Sequence, residues 1–316
     1  MDKKITNLCD LTIDNYKIVK EELRYDGEYI NHFASLIYAN LDREIPFKKI
    51  KKIRSYIKEK TSRMSCFKGD ILYILSFLVA IEENVEEFID NMIEVYEMLI
   101  EIGFKESQYL VITAYSLLKY SDKENIFSEA MKTKEIYDLI KKKYANLTDA
   151  EDYVGCALLV LSDIESDDIS NYLDLVFNTI SDLDMFSKNG LQGLAMSVVL
   201  SKKASQLYKI DELLVKLEEE GIKISHQFLP LLGIAESLGN VENYLADINE
   251  TIEYLREEDS SYNFFMDKSF IIFIAIAINE FAKNNNKERY LNELISVCVY
   301  SFLVSKNQGV FSEVLA

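Results

Sequence analysis

Three carboxylates fall within residues 149–152, directly ahead of a run of apolar residues. Asp149, Glu151 and Asp152 belong to the stretch "YANLTDAEDYVGCALLVL", residues 144–161. Carboxylates grouped in this way can hold a divalent metal or act as a general acid and base. They can equally begin a helix, because the positive end of the helix dipole favours negative charge.

The pattern around these acids favours the helix start. Thr148 and Glu151 have the spacing of a capping box, which would leave Asp149 and Asp152 in the first helical turn. Asp152 is the acid that such a cap does not require. We therefore keep Asp149 and Asp152, with the adjacent Tyr153, as candidate contacts for a ligand or partner, and we predict no metal site.

Catalytic constellations are lacking elsewhere in the sequence. His32 and His226 are far apart, and neither has a Cys, Asp or Glu at ligand spacing. The zincin, nucleophile-elbow, dinucleotide-binding and P-loop motifs are all missing. Four scattered cysteines form no C-x-x-C pair, which indicates a reducing compartment. We predict no catalytic residue and no cofactor, and an enzymatic role is disfavoured.

The stretch "SDDISNY", residues 166–172, faintly resembles the aspartate-rich metal motif of isoprenoid synthases. That chemistry needs a second carboxylate cluster across a cavity to share magnesium ions with a diphosphate. The sequence offers no such partner cluster. The acids also stand where a helix begins, so we interpret them as helix-start residues.

A basic stretch, residues 47–63, is the sharpest anomaly of charge. "FKKIKKIRSYIKEKTSR" holds eight Lys and Arg residues against one Glu, a net +7 in a chain of net −18, which leaves −25 on the rest. Isoleucines at helical spacing place the basic residues on the opposite face. Lys51 and Arg54 are therefore candidate contacts for an anion or a membrane surface. A solvated face, or one matched to acidic parts of the same fold, is the interpretation we favour.

Charge and hydropathy exclude two classes of partner. A net charge of −18 repels phosphate backbones, so we predict no nucleic-acid binding. The longest apolar runs, "ILYILSFLVAI" and "FIIFIAIAI", are shorter than the roughly 20 residues that span a bilayer. The first residues lack the apolar core of a signal peptide. We predict a cytoplasmic protein without a transmembrane segment, and peripheral membrane contact is disfavoured.

The elements that must position these residues are helices. Only 2 Pro and 10 Gly occur in 316 residues, which indicates helices throughout. Short apolar helices are predicted to start near Asp70, Glu106, Ala150, Asn189, Ser225 and Asp267. The fourth residue of each is Tyr73, Tyr109, Tyr153, Gln192, Phe228 and Phe270. A residue no larger than Val follows seven positions later in all six, and a small residue follows five positions later in four of them, Leu78 and Leu158 being the exceptions. Small residues on one face would allow neighbouring helices to approach closely.

A more amphipathic second helix follows each of these first helices. The two together recur about every 40 residues, which is typical of stacked helical hairpins that share one core. We predict an all-α fold of such hairpins, either α-solenoid-like or a compact α–α superhelix. Residues 1–60 would form an N-terminal helical segment that packs on the repeats, and residues 61–316 one continuous repeat domain. Aromatic residues such as Tyr109 could line a groove, although regularly spaced aromatics more often pack the core.

The order of these features resembles the bacterial domain-of-unknown-function family 4003. "FKGDILYILSFLVA" is followed by "VYEMLIEIGFKESQYLVITA" and "IYDLIKKKYANLTDAEDYVGCALLVL". The matching steps are Tyr96–Leu99, Gly103–Leu110 and Leu147–Tyr153, and the resemblance covers roughly residues 15 to 300. A His often precedes the Leu-Thr step in such sequences, but "KKKYANLT" has none. The resemblance implies an all-helical protein of unassigned activity.

We therefore predict a non-enzymatic helical-repeat protein that binds a protein or peptide partner through the surface of its stacked helices. One alternative is an enzyme or small-molecule sensor with a pocket lined by acidic and aromatic residues. The other is a protein that docks on membrane surfaces through residues 47–63.

Overall fold

A computed structural model of the chain describes residues 1–146, 148–162, 164, 166–182, 191–202, 206–235, 238–263, 266–283 and 290–314. Within these ranges the chain forms fifteen α-helices and three short 3₁₀ helices, and no strand, so the all-α prediction is confirmed. The α-helices are α1 (Lys3–Glu22), α2 (Glu28–Asn40), α3 (Phe47–Lys60), α4 (Asp70–Val79), α5 (Val85–Ile102), α6 (Gln108–Tyr120), α7 (Ile126–Lys143), α8 (Asp152–Leu161), α9 (Ser166–Asp182), α10 (Leu191–Ser201), α11 (Gln206–Glu219), α12 (Leu229–Gly233), α13 (Val241–Glu258), α14 (Lys268–Lys283) and α15 (Leu291–Val314). The 3₁₀ helices are Arg24–Asp26, His226–Phe228 and Ser260–Tyr262.

The predicted starts of the first helices agree with the observed ones to within about two residues wherever the chain is described. α4 begins at Asp70, α6 at Gln108, α8 at Asp152 and α14 at Lys268, and the 3₁₀ turn that leads into α12 begins at His226. The predicted start at Asn189 lies outside the described residues. The pattern of apolar runs and helix-start residues was therefore sufficient to locate these helices.

The residues aligned at the fourth position of the first helices mostly pack the core. Tyr109, Tyr153, Phe228 and Phe270 are all buried, and so is Gln192. Only Tyr73 is half-buried. The buried residues among them are therefore core positions.

Small residues bring α10 and α12 into close contact. A Cβ atom added to Gly233 would lie 1.9 Å from Oγ of Ser197, and one added to Gly193 would lie 2.9 Å from Cγ of Pro230. Gly233 and Ser197 are the small residues five positions after the aligned residues of their helices. The close approach that the sequence predicts is thus present at this pair of helices.

The chain forms two compact units. Unit 1 comprises residues 1–45 and 173–302, and unit 2 comprises residues 46–172 and 303–316. In unit 2, α3 packs against α5, α5 against α7, and α6 against α8. In unit 1, α10 packs against α12, α11 against α13, and α1 against α2. The predicted division at residue 60 and the stacking of the hairpins as a solenoid or superhelix stay predictions.

Hydropathy along the helices agrees with the prediction of no transmembrane segment. Among the residues that the structure describes, no helix is both long and apolar enough to cross a membrane.

Candidate functional site

The acids at the start of α8 bind the backbone of their own turn. The carboxylate of Asp152 accepts the backbone N–H of Asp149, with 2.9 Å between Oδ2 and N. Oδ1 of Asp149 accepts the N–H of the next-but-one residue, Glu151, also at 2.9 Å. Carboxylates that accept free N–H groups in this way satisfy donors that a helix start leaves without partners. Asp149 and Asp152 therefore cap the turn that leads into α8.

This cap differs from the predicted one by one residue. The capping box predicted from Thr148 and Glu151 was wrong, because the backbone N–H of Thr148 donates to the carbonyl of Tyr144 and the N–H of Glu151 donates to Oδ1 of Asp149. The Thr148 carbonyl accepts a hydrogen bond from Lys141 instead. Asp152, the acid that the predicted cap did not require, is the residue that closes the observed one.

Glu151 connects α8 to α6. Its Oε1 accepts a hydrogen bond of 2.7 Å from the hydroxyl of Tyr109, a buried residue in the first turn of α6. A hydrogen bond to an ionised group is stronger than one between neutral groups. The predicted contact residue Tyr109 thus lies next to the predicted acids, and it ties two first helices of unit 2 together.

Tyr153 packs within an aromatic cluster beside the same turn. Its ring lies edge-on to Phe104 and Tyr137, with centroids 4.9 and 4.8 Å apart. Its hydroxyl accepts the backbone N–H of Lys105 at 3.4 Å. Edge-to-face aromatic pairs add to the free energy of area burial. The structure therefore brings four of the six predicted contact residues together, Tyr109, Asp149, Asp152 and Tyr153.

The interior of this turn disfavours negative charge. Asp152 is buried, and this burial raises the pKa of its carboxyl well above the usual range. The neighbouring charges of Asp149 and Glu151 raise this pKa further, whereas the N–H of Asp149 and the ammonium of Lys141 lower it. Burial also raises the pKa of the Cys156 thiol, one turn along α8. A carboxylic acid and a thiol that favour their neutral forms are poor metal ligands and poor nucleophiles.

The described residues form no cluster suited to a metal ion. No group of three or more His, Cys, Asp or Glu side chains suited to a metal occurs among the described residues. The side chains of Asp167 and Asp168 in the aspartate-rich stretch lie outside the described residues, while Asn171 of the same stretch is exposed.

The two predicted contact residues of α3 have opposite surroundings. Arg54 is buried, and its Nε donates to Oγ of Ser76 at 2.9 Å. Its guanidinium lies over the rings of Tyr73 and Phe77, at 4.7 and 5.3 Å from their centroids. Lys51 is exposed, with its Nζ 5.3 Å from the centroid of the Phe47 ring. Arg54 holds α3 onto α4, whereas Lys51 faces outward.

Two further cations of α3 also serve the fold. Lys49 donates to the carbonyls of Ala80 and Glu82, just beyond the C-terminal end of α4, at 2.8 and 3.0 Å. Cations are favoured at this end because the helix dipole is negative there. Lys60 pairs with Asp90 of α5, with 3.0 Å between Nζ and the carboxylate. The basic stretch is thus partly matched by acceptors of its own unit.

His32 is a buried ionisable residue that sequence reasoning did not single out. It is fully buried in unit 1 and stacks on Tyr16, with ring centroids 3.9 Å apart and planes 4° apart. The rings of Tyr262 and Phe270 lie 4.9 and 6.3 Å away. Neither ring nitrogen has a hydrogen-bond partner among the described residues. Burial, with the nearby charge of Lys20, lowers its pKa to about 3.

Comparisons with known proteins identify the family. A family model described as "Protein of unknown function (DUF4003)" matches residues 15–308, so the chain belongs to this family. The resemblance inferred from its sequence steps is confirmed. No curated protein and no solved structure matches the chain.

Proposed function

We propose that this DUF4003 protein is a non-catalytic, cytoplasmic helical-repeat protein that binds a protein or peptide partner through the outward faces of its helices. The observation that carries the proposal is how the fold uses its candidate residues. The acids and aromatic residues that could form an active site hold helices to each other. Charged and apolar side chains remain exposed on second helices such as α7 and α11.

Side chains exposed on the second helices support a binding role. Phe127 and Met131, one turn apart on α7, are 60% and 39% exposed. Tyr208 and Val215, two turns apart on α11, are 60% and 50% exposed. Exposed aromatic and methionine side chains are enriched at protein interfaces.

The packing order of the helices supports the repeat. In unit 2 the second helix α5 packs against α7 and the first helix α6 against α8; in unit 1 α11 packs against α13 and α12 against α14. Layers in which like helices neighbour one another are what stacked hairpins produce. A cytoplasmic location is supported by four free cysteines, three of them buried.

The alternative, an enzyme or a small-molecule sensor, would depend on Asp149 and Asp152. Both carboxylates already accept backbone N–H groups at the start of α8. A role in catalysis would have to break the hydrogen bonds of the turn that leads into this helix.

Photo-crosslinking tests the proposal. A photoreactive phenylalanine analogue replaces Phe127 on α7 or Tyr208 on α11, and the buried Phe104 serves as the control position. We expect one discrete protein adduct from an exposed position in the native host and none from Phe104. The crosslinked protein, once purified, should bind the unmodified chain directly.

The proposal fails if neither exposed position yields an adduct while a divalent metal or a metabolite raises the melting temperature. A ligand that prefers the native state stabilises it, so a saturating ligand would give a clear shift.

A further inference from the structure

α3 presents a row of cations to solvent. Lys48, Lys51, Lys52 and Lys58 are exposed, and Arg63 is exposed just beyond the end of the helix. At 100° per residue the four lysines lie within one face about 120° wide, along about 15 Å of helix. We call these five residues the α3 basic face.

Four of these five cations have no anionic partner among the described residues. Within the described part of the chain, Lys48, Lys52, Lys58 and Arg63 make no salt bridge. The other three cations of the stretch, Lys49, Arg54 and Lys60, are bound by their own unit. The fold therefore separates the basic stretch into an inner set that holds α3 in place and an outer set that faces water.

The inner side of α3 limits what the basic face can bind. Ile50, Ile53 and Ile57, the apolar stripe of the helix, are buried against the rest of unit 2. A helix that enters a membrane surface needs that stripe for the acyl chains. Binding at the α3 basic face is therefore electrostatic, with little apolar area to add.

We propose that the α3 basic face docks a short acidic segment of a protein partner, an inference that rests on the binding function proposed above. Residues outside 47–63 carry a net charge of −25. A wide anionic surface, such as a bilayer or a nucleic acid, would be repelled by this net charge and by Glu59, which is exposed on the same face as the lysines. A short segment avoids that repulsion, because it contacts only the row of lysines.

The spacing of the cations defines the shape of this segment. Lys48, Lys51 and Lys52 form one group, Ser55 interrupts the row, and Lys58 with Arg63 forms the second group. Glu59 is exposed on the same face. An extended chain advances about 3.3 Å per residue, so about five residues span the 15 Å between the ends of the row. We expect acids at both ends of the docked segment and a neutral residue between them.

Fluorescence anisotropy tests the docking. The probes are a labelled peptide of six glutamates and a matched peptide of six glutamines. The test variant carries Lys52→Glu with Lys58→Glu on α3, and the control carries Lys132→Glu with Lys142→Glu on α7. All four lysines are exposed in unit 2, and both variants change the net charge by the same amount. Vesicles of three parts phosphatidylcholine to one part phosphatidylserine and a single-stranded oligonucleotide serve as competing polyanions.

We expect the wild-type chain and the α7 variant to bind the glutamate peptide equally, and the α3 variant to bind at least about tenfold more weakly. The glutamine peptide, the vesicles and the oligonucleotide should not bind. Equal losses in the two variants, no binding of the glutamate peptide at low salt, or α3-dependent binding of vesicles or oligonucleotide in its place would each overturn the proposal. The binding function itself would survive those results if photo-crosslinking captures a partner at α7 or α11, and it would fail only if crosslinking fails as well.

Discussion

The start of α8 and the outer side of α3 both concentrate ionisable side chains within unit 2, but the fold uses these side chains differently. At α8, the carboxylates of Asp149 and Asp152 accept backbone N–H groups, and Asp152 is buried. On α3, Lys52 and Lys58 extend into solvent and make no salt bridge with the described residues. A polar side chain bonded to the backbone holds a turn in place, whereas a charge that remains in water can bind another molecule. Changes at the first kind of position should alter stability, and changes at the second should alter binding.

His32, a buried ionisable residue of unit 1, gives the strongest test of the expectation that changes at buried positions alter stability. The pKa of His32 is about 3 in the folded state and 6.5 in a free side chain. Below pH 6.5 the unfolded chain therefore takes up a proton that the folded chain does not, and stability falls as the pH drops from 6.5 toward 3. At about 1.4 kcal/mol per pH unit, the loss at pH 4 is about 3 kcal/mol. His32→Phe should remove this loss, as measured by urea unfolding at pH 7 and pH 4.

The second histidine of the chain supplies the control. His226 is only half-buried, so His226→Phe is the matched histidine-to-phenylalanine change at a less buried position. His32→Leu repeats the test with a smaller side chain in case phenylalanine overfills the site. Equal acid sensitivity in the wild type and in both His32 variants would show that burial of His32 is not its cause.

Two neighbouring cations on α3 should respond unequally to truncation. Arg54→Ala removes a buried side chain with its hydrogen bond to Ser76 and its contacts with two rings, and we expect a loss of about 2 kcal/mol in the free energy of unfolding. Lys52→Ala, two residues earlier on the exposed side, should change it by less than about 0.5 kcal/mol. Chemical denaturation measures both. Similar losses would contradict the division of α3 into an inner and an outer set.

Two substitutions of Asp152 separate its role as a cap from a role for its charge. Asp152→Ala removes the acceptor of the Asp149 N–H and should cost about 1 kcal/mol. Asp152→Asn keeps an acceptor and buries no charge. Because burial raises the folded-state pKa above the reference value of 3.8, the wild-type acid stabilises the fold less as the pH rises above 3.8.

The stability of Asp152→Asn relative to wild type should therefore increase from pH 4 to pH 7, as measured by urea unfolding at both values. A variant that instead weakens relative to wild type as the pH rises would show that the fold needs the ionised carboxylate. That result would support a functional site at the start of α8.

The smallest change in stability is expected on the α3 basic face. Lys52→Glu with Lys58→Glu should alter the free energy of unfolding by no more than about 0.5 kcal/mol, because neither lysine makes a salt bridge with the described residues. The thermal midpoint, compared with that of Lys132→Glu with Lys142→Glu, measures this. A clear loss confined to the α3 variant would show that these lysines serve the fold.

The local sequence was sufficient to locate the helices, but it did not predict the contacts that their residues make. The apolar runs located the start of α4 at Asp70 because burial and helix-start chemistry act within a few residues. The side-chain cap was predicted one residue too early, because Thr148 with Glu151 and Asp149 with Asp152 share the same spacing, and the observed bonds of Asp149 and Asp152 close the turn ahead of α8.

Contacts between helices explain why the surroundings of Arg54 and His32 differ from what the sequence indicated. The helical pattern of residues 47–63 placed Arg54 with the other cations, but Tyr73, Ser76 and Phe77 of α4 surround it in the fold. His32 gave no signal in the sequence because its ring partners come from elements far along the chain, including Tyr262. Such partners cannot be read from spacing within one helix.

The salt dependence of the affinity for the six-glutamate peptide decides whether the α3 basic face is a binding surface. Screening weakens exposed ion pairs, so the affinity of the wild type should fall steeply between about 50 and 300 mM salt. We predict the same steep dependence for Lys132→Glu with Lys142→Glu, and an almost flat dependence for Lys52→Glu with Lys58→Glu. Equal dependence in the two variants would contradict the account, because binding would then follow net charge and not the α3 basic face.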